Sequence, residues 1–359
     1  MTIDDPRRLV RVHAEHVSGV ASTDCPGTYP GEDHSWNLDV FKQNLQVKVY
    51  RLSDRSCEFD LVGVDASIAN ALRRILISEV LVPTVAIENV YVWNNTSVVV
   101  DEVLSHRLGL VPLNVDPALL EFKDGGDSTD RNTIVFKLNV ACSRNPDAAK
   151  GETDPDKLYI NSNVYSSNLV WDPQGEQADI FNGNSPAPTN SNILLAKLRP
   201  GQEIDMELHA IKGLGKEHAK WSPVATASYR LHPYIKIVSP IPPALIPKFK
   251  SCFSPGVIQV RKKSFEKEEA YVADSRKESM SREVFRHEEF EGKVELGRVR
   301  DWFIFNIESE GPYAPERLLI EAIGVMREKI ATLRKSTNAL SIEMDTIVNL
   351  DADVEMGGT

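Results

Sequence analysis

Two amphipathic helical patterns at opposite ends of this chain constrain its fold more than any other feature. Near the start, Asp65 stands where an N-cap belongs, and Ile68, Leu72, Ile75, Leu76 and Glu79 follow on one face at i, i+4, i+7, i+8 and i+11. Pro83 ends that pattern, because the residue before a proline is pushed out of the α region. Near the far end, Pro315 opens a long helix with Leu319, Ile323, Met326, Ile330 and Leu333 at spacings of four, three, four and three. Each stripe exceeds what a neighbouring hairpin covers. Burying one large aliphatic side chain contributes roughly 1.5 to 3 kcal/mol, so leaving half a dozen in water forfeits on the order of 10 kcal/mol, a domain's whole stability. Both stripes therefore need a covering surface, and periodicity alone leaves open whether it belongs to this chain or to another.

The remaining composition is that of an ordinary soluble globular protein. With 359 residues against about 150 for one domain, two domains are expected, and the 42% hydrophobic and 26% charged content excludes fibrous and disordered classes. The formal net charge of -11 disfavours autonomous nucleic-acid binding. No apolar run is long enough for a membrane helix, and MTIDDPRRLVRVHAEHV lacks a signal peptide's apolar segment, which together predict an intracellular protein. Cys25, Cys57, Cys142 and Cys252 are scattered without short-loop pairing, as a reducing compartment permits. The overlapping glycosylation sequons at Asn94-Asn95-Thr96-Ser97 are read as chance tripeptides.

Residues 1–37 mix Pro, Gly, Asp, His and Ser without a hydrophobic period and read as an extended or loosely docked arm. LQVKVYRLSDRSCEFDLVGVD alternates in two runs split by Ser53-Asp54-Arg55, the pattern of a hairpin. TVAIENVYVWNN reads as a strand and DEVLSHRLGLVPL as a short helix ended by Gly109. Glu121 to Asn132 is loop, and strand-like runs follow at TIVFKLNVAC, LYINSNVYSSNLVW, NILLAKL and EIDMELHAI, so the centre is mostly β. Pro240, Pro242, Pro243 and Pro247 mark a boundary, after which a charged segment leads to the strand RVRDWFIFNIESEG. The acidic tail DADVEMGGT is expected to be disordered.

Tests for catalytic chemistry fail. Gly213-Leu214-Gly215-Lys216 looks phosphate-friendly, but a P-loop needs four residues between its glycines and Ser or Thr after the lysine, and here Glu217 follows. His218, between Glu217 and Lys220, has no nucleophile or metal ligand beside it in sequence and reads as part of a structural polar loop. The spacing of His13, His16, Cys25 and His34 fits no zinc pattern, and Arg261-Lys262-Lys263 reads as a solvated face. No catalytic residue, cofactor or metal ligand is assigned.

FDLVGVDASIANALRRILISEVLVPTVAIENVYVWNNTSVVVDEVLSHRLGLVPL resembles the alpha-motif region of the large alpha-like subunits of cellular RNA polymerases, centred on Asn70-Ala71-Leu72-Arg73-Arg74-Ile75. His106 to Leu113, GLGKEHAKWSPV at 213–224 and DWFIFNIESEG at 301–311 follow in that family's order. ATASYRL at 225–231 and ADSRKESMSREVFRH at 273–287 are similar to the branch shared by eukaryotic RNA polymerases I and III. Two departures favour that branch over its paralogues: the stretch Glu121 to Asn132 lacks the cysteines of the polymerase II zinc loop, and Cys252 alone cannot hold the cluster of some archaeal relatives.

The resemblance implies an α+β fold in which both chain ends, 38–82 and 295–345, build a dimerisation domain interrupted by a mostly β insertion domain at 83–240. A degenerate ferredoxin-like linking region without metal would occupy 241–294, with the N-terminal arm at 1–37 and the acidic tail at 346–359. It further implies a non-catalytic assembly subunit of the nucleus and nucleolus that heterodimerises with a small alpha-like subunit and meets the two largest polymerase subunits, touching nucleic acid only through the complex. On that reading Ile68, Leu72, Ile75, Leu76, Leu319, Ile323, Met326 and Ile330 line the heterodimer interface. Arg73 and Arg74 face a large subunit, and Asn70 is a tight-packing or hydrogen-bonding position.

Overall fold

Part of the N-terminal arm, residues 9–18, is docked by strand pairing. The computed structural model describes residues 5–21, 27–78, 84–123, 125–149, 151–263, 267–309, 311 and 313–356. Within the arm, Leu9–Val12 (β1) pairs antiparallel with residues 296–299, burying Leu9 and Val12. Arg8 lays the Nε/Nη2 edge of its guanidinium on the Asp301 carboxylate at 2.8 to 3.1 Å. Val17–Ser18 (β2) folds back onto β1 through a turn in which His13 N donates to His16 O and the two rings stack 4.4 Å apart. Those histidines serve the turn, and Cys25 lies outside the described residues.

Leu38–Asn44 (α1) starts where the Asn37 side chain accepts from Asp39 N and Val40 N. The expected hairpin is Gln46–Leu52 (β3) and Ser56–Val62 (β4), closed by Ser53 N donating to Ser56 O at 2.8 Å. Ala66–Ile77 (α2) begins at Asp65, whose Oδ1 accepts from Ser67 N at 2.8 Å; the Ser67 bonds hold this carboxyl below its ordinary pKa. Glu79 and Pro83 lie outside the described residues. There follow Thr84–Asn95 (β5), Asp101–Gly109 (α3), Thr133–Ala141 (β6), Asn163–Tyr165 (β7), Val170–Asp172 (β8), Leu194–Lys197 (β9), Glu203–Gly213 (β10) and Thr226–Ile237 (β11). The chain then forms Ile246–Ser251 (α4), Ile258–Lys263 (β12), Lys267–Val272 (β13), Val294–Glu308 (β14) and Pro315–Met356 (α5).

These elements divide into two compact units. One comprises Met1–Arg51, Cys57–Ala71 and Ser228–Asn306. Its sheet runs β2-β1-β14-β4-β3, with β11 also on β14, so strands from both ends of the chain meet at β14. Phe249, Phe253 and Phe290 pack edge to face in its core, and Phe59 stacks on Phe305 at 5.1 Å. The fully buried Asp60 accepts from Arg276 Nη1 and from Trp302 Nε1, and Arg276 also pairs with Glu58 and lies over the Tyr50 ring. This pins the 273–287 segment to the sheet.

The other unit comprises Leu52–Ser56, Leu72–Ala227 and Ile307–Thr359. Its antiparallel sheet runs β8-β6-β10-β5 over a core that includes Ile87, Leu104, Leu108, Phe136, Leu138 and Leu208. The class is α+β, as expected, but the units cut the chain along lines different from 38–82/295–345 and 83–240. Residues 228–306 group with the N-terminal strands, and 307–359 group with the central β region.

Three further elements depart from the sequence reading. The charged segment after residue 258 contains the hairpin β12–β13, in which Arg261 pairs with Glu269 and Lys262 sits opposite Glu268, while Lys263 falls opposite Lys267, so two of the three basic residues face a carboxylate across the strands. β11 is a twelve-residue strand despite Pro233 within it. Helix α5 continues through Met356, so the acidic tail, expected to be disordered, is helical up to that residue.

Candidate subunit interface

Within α2 the stripe is divided by burial. Leu72, Ile75 and Leu76 are buried inside the chain, as is Ala69, while Ile68 is exposed. The expectation that Leu72, Ile75 and Leu76 face a partner is therefore corrected: this chain covers them, and among the large apolar side chains of α2 Ile68 is exposed and Ile77 half-buried. Asn70 and Arg73 are half-buried and Arg74 is exposed, and all three are engaged by polar or electrostatic contacts.

In α5 the division runs the other way. The chain buries Leu318, Ala322 and Val325, a row at i, i+4 and i+7. The expected stripe lies one residue further around: Leu319 and Met326 are half-buried, Ile323 is 45% exposed, Ile330 58% and Leu333 68%. Ile320 and Leu340 are exposed too and were not anticipated; the 4-3 repeat carried on from Leu333 through Thr337 to Leu340 was the available signal. From Arg327 to Leu340 every residue is exposed. At the start of the helix the buried Tyr313 has its phenol pushed up to about 12 by burial, and Arg317 lies over its ring at 5.0 Å.

The glycines of GLGKEHAKWSPV are explained by close packing at the far end of α2. A Cβ on Gly215 would stand 2.9 Å from Ile77 O, and one on Gly213 would overlap the Trp221 indole at 2.3 Å. Ser222 Oγ donates to Ile77 O at 3.0 Å, giving a C-terminal carbonyl of the helix a partner. Lys220 donates to Ile87 O at 2.8 Å and pairs with Glu88, while Trp221 Nε1 donates to Ile211 O. Lys216, Glu217 and His218 are exposed. This loop is a clamp on the end of α2. The loop from Glu121 to Asn132 is closed by the Asn132 side chain, which accepts from Thr129 N and donates to Asp127 O. Among the described residues, no group of three or more His, Cys, Asp or Glu is placed to hold a metal ion. The Asn95 amide is committed to Val99 O and Asp101.

A family model of the RNA polymerase Rpb3/Rpb11 dimerisation domain matches residues 58–330, from strand β4 to the exposed stripe of α5. The chain belongs to this family. It is 49% identical over 331 residues, 91% of this chain and 97% of the relative, to a Saccharomyces cerevisiae protein named "DNA-directed RNA polymerases I and III subunit RPAC1". The human protein of that name is 46% identical over 343 residues, 95% of this chain and 98% of the relative. The Dictyostelium discoideum "DNA-directed RNA polymerase II subunit rpb3" is 32% identical over 312 residues, 84% of this chain and 97% of the relative. In this member of the Rpb3/Rpb11 dimerisation family, the matched region holds α2, its clamp and the first sixteen residues of α5, Pro315 to Ile330.

Proposed function

We propose that the chain is the large alpha-like subunit common to RNA polymerases I and III. In that role it is a non-catalytic assembly subunit of the nucleus and nucleolus, serving rRNA, tRNA and 5S RNA transcription. It heterodimerises with a small alpha-like subunit and presents that pair to the two largest subunits. The dimerisation region is then 38–82 with 295–345, the insertion 83–240 and the linking region 241–294. The partner-facing residues are Ile68, Leu319, Ile323, Met326 and Ile330, with Leu72, Ile75 and Leu76 as the packed support behind Ile68, with Asn70 as a tight-packing or hydrogen-bonding position at the interface, and with Arg73 and Arg74 directed to a large subunit.

The uncovered stripe of α5, in a chain that matches a dimerisation-domain family, carries this reading. Identity of 46 to 49% to proteins named for polymerases I and III, against 32% to one named for polymerase II, favours the shared subunit. The test is affinity purification of the tagged chain with identification of its companions, beside Ile323→Asp. Large subunits of polymerases I and III, with a small partner lost in the variant, are expected, because an unpaired carboxylate in an apolar seam is costly. Recovery of polymerase II subunits, or of an undiminished pair in the variant, refutes the assignment.

A further inference from the structure

A second uncovered surface lies in the central β unit, on residues that the heterodimer reading does not use. Val98 is 83% exposed, and Val100 and Val103 are exposed beside it. The turn presenting them is held tightly: Asn95 Nδ2 donates to Val99 O at 2.9 Å and to Asp101 at 2.7 Å, and Asn95 Oδ1 accepts from Ser97 N at 3.1 Å. An apolar tip on so fixed a turn loses little conformational entropy when it docks.

The tip borders a groove of about 580 Å³ whose floor is Leu194 to Ala196 of β9 and whose rim carries Arg107, Lys197 and Arg199. Arg107 is fixed by donating Nε to Leu195 O at 3.1 Å and Nη2 to Leu194 O at 2.6 Å. Arg199 donates Nη1 to Leu198 O and lies over the Tyr159 ring. Among the described residues none of these three cations meets a carboxylate, and Asp101 and Glu102 of α3 do not line the groove. In a chain of net charge -11, three cations without carboxylate partners around one apolar floor point to an acidic, partly apolar ligand. Nucleic acid fits less well, because no aromatic ring lines the groove to stack on a base.

We infer that this groove docks an amphipathic segment of another polypeptide, its apolar side chains against Val98, Val103 and Leu194 and its flanking Asp or Glu residues on Arg107, Lys197 and Arg199. The test places p-benzoylphenylalanine at Val98 in the native complex, irradiates it, and sequences the adduct peptide by mass spectrometry. One dominant adduct is expected, to a peptide with apolar residues between acidic ones. Combining Lys197→Glu with Arg199→Glu should lower its yield about tenfold, since both residues are exposed and the change acts through charge. Lys197→Met with Arg199→Met should lower it less, which separates charge from misfolding. No adduct despite full incorporation, an adduct to nucleic acid or to a basic peptide, or a yield unmoved by charge reversal overturns the inference.

Discussion

Replacing Arg276 by Met tests whether the 273–287 segment is a working part of the first unit's sheet. The substitution keeps most of the side-chain length but removes both donors to Asp60 and Glu58 and the cation over Tyr50, 3.9 Å from the ring centre. Asp60 is fully buried and would keep only the Trp302 Nε1 bond at 2.8 Å. Removing one partner of a buried pair costs roughly 3 to 5 kcal/mol, because the remaining charge is stranded. The Glu58 carboxylate is 33% exposed, so its share is under about 1 kcal/mol. Adding Asp60→Asn removes the stranded charge while keeping an acceptor for Trp302, so the double variant should recover about 2 to 3 kcal/mol. Urea unfolding followed by tryptophan fluorescence, at fixed concentration of the purified complex, measures all four corners of the cycle. Loss of less than about 1 kcal/mol in Arg276→Met, or strict additivity in the double variant, refutes the argument.

Two further perturbations separate core from interface and set a pH window. Leu76→Ala opens a cavity in a fully buried site and should cost about 2 to 5 kcal/mol of stability, while Ile323→Ala should leave the unfolding midpoint within about 0.5 kcal/mol and weaken partner affinity; calorimetric titration against the small subunit distinguishes them. Burial pushes the His232 imidazole below its ordinary pKa, with Asp60 opposing and Arg276 and Arg230 reinforcing the shift. The unfolded chain therefore binds a proton near pH 6.5 that the folded chain refuses, so stability present above 6.5 falls as pH drops toward the lower folded value. The slope is at most about 1.4 kcal/mol per pH unit, reduced by the solvent that still reaches the ring. His232→Phe keeps a ring on Trp302, 4.2 Å away, and should flatten unfolding midpoints measured between pH 5 and 7; an unchanged slope refutes the assignment.

What the sequence made legible was the helical face; it could not say what covers that face. Asp65 and the spacing from Ile68 to Leu76 set α2 to within a turn, yet periodicity is the same whether Leu72 meets its own chain or another. The arm was read as extended or loosely docked because only Leu9 to Val12 carry its pairing pattern, and four residues among His, Pro and Asp are too few for a period to register. β11 was hidden by Pro233, which ordinarily demotes a strand and is tolerated here in a strand that, among the described residues, pairs with β14 alone. LYINSNVYSSNLVW looked like one strand and is several, because Asn161 adopts φ of 59° and turns the chain. The glycines at 213 and 215 drew attention as a phosphate loop, when Gly213 makes room for the Trp221 indole and Gly215 for Ile77 at the end of α2, more than a hundred residues away in sequence.

The exposed length of α5 constrains whatever covers it. An isolated helix in water is marginal, and the stretch from Arg327 to Leu340, exposed at every residue, buries no apolar side chain against the described residues of this chain. Its apolar row nevertheless continues at 4-3 spacing through Ile330, Leu333 and Leu340, interrupted at Thr337, whose hydroxyl turns back onto Leu333 O at 2.9 Å. A globular knob would cover one or two of these turns and leave the others wet. From Leu319 to Leu340 the row is about 32 Å long at 1.5 Å per residue, so its complement must itself be an extended element of about twenty residues, with apolar side chains at matching intervals. On the proposed heterodimer, that requirement would be met by a helix of the partner lying along α5.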